Sequence, residues 1–100
     1  MTFILFITAC DPKPRIIDLN IMKPPDKVLY YVGEDTELDL TGGIVDCIFN
    51  SYNDSRRIMD DFFQYSHNID FNTTGEYEVR IKKGKATCRF FIEVVEREAP

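Results

Sequence analysis

The sequence predicts an all-β fold, a sandwich of about seven antiparallel strands in a single domain. Three observations carry that prediction. Apolar and polar residues alternate with period two in run after run, turn-forming residues punctuate the runs at short spacing, and no segment sustains the 3.6-residue period of an amphipathic helix. The clearest runs close the chain. Tyr77, Val79 and Ile81 fall on one face of residues 76–82, with Glu76, Glu78, Arg80 and Lys82 on the other. Lys83-Gly84-Lys85 then reverses the chain into residues 86–94, where Ala86, Cys88, Phe90, Ile92 and Val94 share a face. Alternation on both sides of a Gly-containing turn reads as a hairpin with one buried side.

The earlier elements follow the same logic. Ile17, Leu19 and Ile21 alternate with Asp18 and Asn20 in a first strand that Lys23-Pro24-Pro25-Asp26 stops. Residues 28–32 form a second extended run, ended by Gly33-Glu34-Asp35. The prolines beside these strands suit a sheet edge, because proline cannot donate to a ladder. Leu38 and Leu40 alternate with Glu37 and Asp39 in a short third strand that Thr41-Gly42-Gly43 turns. Val45, Cys47 and Phe49 alternate with Asp46 and Ile48 in a fourth. Residues 50–55 are a loop by composition, and residues 56–59 a short edge strand. Residues 60–71 admit two readings: a helical turn capped by an aspartate, or an irregular strand, which the aromatic content favours.

A chain of 100 residues suits one domain and can bury a core without staples. Thirteen aromatic residues, eight Phe and five Tyr with no Trp, lean toward β structure. A formal charge of −5 speaks against a nucleic-acid binder, which needs a basic stripe to neutralise phosphates. The basic residues are scattered, and Arg56-Arg57 and Lys82-Lys83-x-Lys85 read as solvated surface.

Residues 1–14 are set apart from the domain, which takes residues 15–95, with 96–100 a C-terminal tail. Phe3-Ile4-Leu5-Phe6-Ile7-Thr8-Ala9-Cys10 is apolar, far too short to span a bilayer as a helix, and is followed by Asp11-Pro12-Lys13-Pro14. Ile7-Thr8-Ala9-Cys10 resembles the lipobox of bacterial lipoproteins: a branched aliphatic residue, two small residues, then cysteine. The resemblance implies a diacylglycerol on Cys10, which would supply the two buried chains that stable anchoring needs. The apolar stretch is shorter than an ordinary leader and carries no Lys or Arg ahead of it. Either the chain begins downstream of a leader's start, or the segment is a first strand packed on the domain, with Cys10 a small hydrophobe.

From Arg15 to Val95 the phrases resemble, in order, the bacterial immunoglobulin-like domain of the group 3 type. They are Tyr30-Tyr31-Val32-Gly33-Glu34, Leu38-Asp39-Leu40-Thr41-Gly42-Gly43, then Ile69-Asp70-Phe71 followed by Gly75-Glu76-Tyr77-Glu78-Val79, and finally Gly84-Lys85 with Phe90-Phe91-Ile92-Glu93-Val94. The resemblance implies an immunoglobulin-like sandwich. Gly75 two residues before Tyr77 fits a tyrosine corner, in which the hydroxyl caps a turn upstream. Val79 stands where antibody domains carry a cysteine, so no inter-sheet disulfide of that kind is expected. The family's middle hairpin is replaced here by a longer loop without glycine, residues 50–55.

Little in the sequence points to reaction chemistry. Cys47 and Cys88 both point inward by alternation, but the expected topology puts their strands in one sheet with another between them, beyond disulfide reach. Two buried free thiols are expected, and a bridge returns if that strand order is wrong. His67 is the only histidine, so neither a zinc site nor a Cys–His pair is expected. Asp54, Asp60, Asp61 and Asp70 match no ordered calcium loop and read as turn-capping acids. No Gly-rich phosphate loop and no Ser-His-Asp set occurs, so no enzyme, metal or cofactor is expected. The expectation is a non-catalytic, monomeric module of the bacterial cell envelope, acting in adhesion, in protein or glycan binding, or as a spacer. It would touch the membrane only through Cys10. Alternatives are a secreted or periplasmic inhibitor acting on a partner enzyme through its loops, and a carbohydrate-binding accessory domain. The loops expected to bind hold Tyr52, Asn53, Asp54, Phe63, Tyr65 and His67; in the other reading their aromatics simply cover the core.

Overall fold

The computed structural model describes residues 15–50 and 54–97, and among them every regular element is a strand. In chain order these are β1 (Ile16–Lys23), β2 (Leu29–Tyr31), β3 (Ile44–Phe49), β4 (Ser55–Ile58), β5 (Gln64–His67), β6 (Gly75–Lys83) and β7 (Ala86–Val95). One sheet has the order β1-β3-β4 and the other β2-β7-β6-β5. The predicted β-sandwich is therefore the observed fold.

The terminal hairpin forms as its alternation dictates. β6 and β7 pair antiparallel from Gly75↔Val94 to Lys83↔Ala86, leaving Gly84-Lys85 as a two-residue loop. Gly84 has φ +63°, a conformation that glycine adopts without steric cost. Val79 and Ile81 of β6 and Ala86, Phe90, Ile92 and Val94 of β7 are buried. The facing sheet contributes Leu19, Val45 and Cys47, and β2 contributes Tyr30. Each fully buried aliphatic or aromatic side chain adds about 1.5–3 kcal/mol relative to exposure. Among the described residues no buried side chain is polar or charged, so packing alone joins the sheets.

Three expectations need correction. The first concerns β1. Its register slips between Ile16 and Asp18, a bulge that breaks the simple alternation. Ile16 packs against the core and Ile17 is left 52% exposed, so Ile17 does not share an inward face with Leu19. The second concerns residues 38–40, which are not a strand. Leu38 and Leu40 do pack on the core, but the Asp39 N–H donates to the Tyr30 hydroxyl at 2.9 Å rather than to a ladder partner. The third concerns direction. Every pairing is antiparallel except β2 with β7, which is parallel. β1 and β2 run the same way, and Pro24-Pro25 carries the chain from the edge of one sheet to the edge of the other.

Residues 60–71 combine both sequence readings. The Asp60 carboxylate accepts the Phe62 N–H at 3.0 Å and its carbonyl accepts the Phe63 N–H at 3.3 Å, an aspartate-capped turn that leads into β5. At the next turn Asp70 accepts the Asn72 N–H and the Thr73 hydroxyl, each at 2.9 Å. The Tyr77 hydroxyl then donates to the Thr73 carbonyl at 2.7 Å, closing the corner. At the turn before β3, Gly42 (φ +86°) lies against Asp26, where a Cβ would come within 2.4 Å of the carboxylate.

The cysteines are placed otherwise than expected. Cys47 on β3 and Cys88 on β7 belong to opposite sheets, not to one. The strand order inferred from the sequence put them together because it assumed the wrong partners for β3. Both thiols are nonetheless free.

Candidate functional site

The residues singled out in the sequence do not converge. Cys10, Tyr52 and Asn53 lie outside the described residues. Asp54 is exposed where the chain enters β4. Phe63 is only 3% exposed, so it is part of the core and offers no recognition surface. Tyr65 is half-buried, packs on the core and donates its hydroxyl to the Asp60 carbonyl at 2.8 Å. Burial, and then the charges of Asp60 and Asp61, push its phenol up to about 12. His67 is exposed, and its Nδ1 accepts the Ile69 N–H at 3.2 Å. Phe63 and Tyr65 thus follow the reading in which the loop aromatics cover the core. They alternate with Phe62 and Gln64 across a turn that buries the Phe63 ring and leaves the Phe62 ring half-buried at the rim of the core.

Phe62 is that outer ring, and it marks the most developed surface feature. It meets Phe63 edge-on, with centroids 4.9 Å apart and planes at 89°. The Arg57 guanidinium lies 3.8 Å from its centroid and the Lys83 ammonium 3.9 Å. Lys83 also donates to the Phe62 carbonyl at 3.1 Å. Cations over an aromatic face are held by the ring quadrupole, at about 0.5–1 kcal/mol each where exposed. Beside this ring opens a cleft of about 910 Å³. Its apolar lining is Ile16 and Ile17 from the β1 bulge, Phe49 from the end of β3, and Phe62; its basic lining is Arg15, Lys83 and Lys85. No carboxylate lines it. The nearest ion pairing is Arg57 with Asp60, at 4.0 Å.

The opposite end of the sandwich, where β7 finishes, has a different character. The loop after β2 carries Glu34, Asp35, Glu37 and Asp39 around a shallow depression of about 420 Å³. Three of these four carboxylates are engaged. Lys27 bridges Asp35 at 2.5 Å, whose other oxygen accepts the Tyr31 N–H at 2.7 Å. Arg97 forks onto Glu34 at 2.7 and 3.0 Å and stacks 3.9 Å from the Tyr31 centroid. These partners hold the carboxyls below their ordinary range: Arg97 for Glu34, Lys27 and then the Tyr31 N–H for Asp35, and Thr41 for Asp39.

Of the two thiols expected to be buried, Cys47 is buried and Cys88 is half-buried against the core. Burial pushes Cys47 up, and pushes Cys88 up to about 11 with help from the neighbouring Cys47 and Asp18 charges. A thiol so shifted is almost wholly protonated at neutral pH and a poor nucleophile. Among the described residues no three His, Cys, Asp or Glu side chains come together as a metal site would require.

No family model and no curated protein matches this chain. Among solved structures it is similar to a solution structure described as that of "a putative surface protein", at 20% identity and a TM-score of 0.46, covering 89% of this chain and 97% of that one. A likeness of that size transfers no role.

Sequence reading missed the cleft because its parts are far apart in the chain. Arg15, Phe49, Phe62 and Lys83 meet only through strand pairing, and each is unremarkable where it stands. The pairs Arg56-Arg57 and Lys82-Lys83 were visible, but not that one ring would gather a cation from each.

Proposed function

We propose that this chain is a non-catalytic immunoglobulin-like module of the bacterial cell envelope, tethered through Cys10. The observation that carries the reading is how the polar groups are used. Asp60 and Asp70 cap turns, the hydroxyls of Tyr30, Tyr65 and Tyr77 bond backbone groups, and the fully buried side chains are apolar. Groups that could do chemistry serve instead to hold the frame, as in a scaffold that works through its surface. The corner at Tyr77 and the β7-β6-β5 order agree with an immunoglobulin-like arrangement. The tether reading rests on Ile7-Thr8-Ala9-Cys10, five residues ahead of Arg15. The inhibitor alternative is weakened by Phe63 and Tyr65, since the aromatic loop surface it needs is withdrawn into the core.

The test is the intact mass of the protein from the membrane fraction of its native host. A diacylglycerol adduct on a chain beginning at Cys10 is the expected result. A soluble chain that retains an unmodified residue 10 would overturn the anchor and, with it, the envelope assignment.

A further inference from the structure

We infer that the basic, apolar cleft at the start of β1 is a docking surface for anionic phospholipid headgroups, and that it sets how the module stands on the membrane. The inference rests on the anchor reading above, which brings the domain to a bilayer. Two features point to the same end of the sandwich independently of each other.

The first is where the tether enters. Arg15 both begins the described domain and lines the cleft. Five residues from Cys10 reach at most about 18 Å when fully extended. A lipidated Cys10 therefore keeps this end within that distance of the headgroups. The second is charge. Arg15, Lys83 and Lys85 line the cleft with no carboxylate among them, whereas at the far end of β7 the four carboxylates of Glu34, Asp35, Glu37 and Asp39 outnumber the two cations Lys27 and Arg97. The ends of the ten-residue β7 are roughly 30 Å apart, several Debye lengths at physiological salt. The chain is net acidic, yet its charge is polarised along the strands. An anionic surface attracts the cleft end and repels the other.

The lining suits an interfacial ligand. Lys and Arg near an anionic surface attract it without any fixed pairing geometry. Ile17, 52% exposed through the β1 bulge, offers apolar surface beside the cations for the boundary of the acyl region, next to the half-buried Phe62. The acids of this end are Asp18, Asp54, Asp60 and Asp61, of which Asp60 is turned toward Arg57 and none lines the cleft.

The experiment uses the full chain carrying Cys10→Ala, so that binding cannot depend on lipidation. Flotation with vesicles of phosphatidylcholine alone is compared with flotation on equal parts phosphatidylcholine and phosphatidylglycerol. Binding to the anionic vesicles that weakens with added salt is expected. Lys85→Ala should lower the partition coefficient about fivefold and Arg15→Ala with Lys85→Ala about 25-fold, at roughly a factor of five per charge. Arg97→Ala, at the far end, should leave it unchanged, and circular dichroism confirms that each variant is folded. Absence of binding, equal binding to both vesicles, or equal losses at both ends would overturn the inference. The mass measurement remains separate: a lipidated chain without anionic preference loses the docking surface but keeps the anchor. An unlipidated chain that binds these vesicles loses the anchor but keeps the surface.

Discussion

The two ends of the sandwich use charge in opposite ways. At the end of β7 the loop of residues 32–40 has no strand of its own, and its carboxylates serve as backbone and side-chain acceptors: Asp35 for Lys27 and the Tyr31 N–H, Glu34 for Arg97, Asp39 for Thr41. At the cleft end the cations are spread over an aromatic ring and an apolar floor, with one long ion pair among them. The first arrangement stabilises a loop that repetitive pairing cannot. The second contributes little to the fold and leaves charge available to something outside it. Intramolecular partners therefore separate the end that is held from the end that is displayed.

The hardest test of that contrast lies beneath the cleft. Phe63→Ala should cost about 3–5 kcal/mol in urea unfolding, the range for deleting a buried aromatic ring. An unchanged midpoint would return Phe63 to the surface and revive recognition by that loop. Next comes the held end. Tyr30→Phe leaves the Asp39 N–H without its 2.9 Å acceptor under a buried ring, and should cost about 1–3 kcal/mol. Tyr77→Phe, removing a more exposed bond to Thr73, should cost nearer 1 kcal/mol. If the two variants unfold alike, the 32–40 loop is not held through Tyr30.

Titration separates the ends by the direction of pH. Glu34, Asp35 and Asp39 have depressed carboxyls in the folded chain. Their contribution is present above the unfolded value and is lost as pH falls through about 4 and below. The thermal midpoint should hold from neutral pH to about 5 and then drop, and Asp35→Asn should shrink that drop. Near the cleft end the sign reverses. Cys88 is raised to about 11, so the unfolded thiol ionises first. Stability is retained below about 8.5, the ordinary thiol value, and lost as pH rises toward the folded value. Cys88→Ala should flatten this alkaline limb, and an unaltered limb would mean another group governs it. The smallest effect on stability belongs to Lys85→Ala, within about 0.5 kcal/mol of the parent, as for a surface change away from special features. A larger loss would show that the hairpin tip is held rather than displayed.

Much of the fold was legible because period two is a local property. Val79, Ile81, Phe90, Ile92 and Val94 had to share the buried side of a sheet, and Asn72 to Gly75 had to turn the chain. Misreadings arose where a local pattern met a nonlocal partner. Leu38 and Leu40 alternate like a strand, but a tyrosine hydroxyl took the Asp39 N–H in place of a ladder partner. Ile17 was counted inward until a bulge shifted the register. Cys47 and Cys88 were correctly read as inward but assigned to one sheet, since alternation gives the face of a strand and not its neighbours.

The candidate site shows the same division. Residue type and order alone determined that the chain folds as a β-sandwich with an apolar interior, that its acids cap turns, and that cysteine follows a lipobox-like phrase. Only the tertiary structure decided that Phe63 is core while Phe62 carries two cations, and that Arg15 lies beside the β6–β7 tip. Alternation repeats every two residues and survives in any short window of the chain. A cleft built from residues 15, 49, 62 and 83 exists only once the strands have chosen their partners.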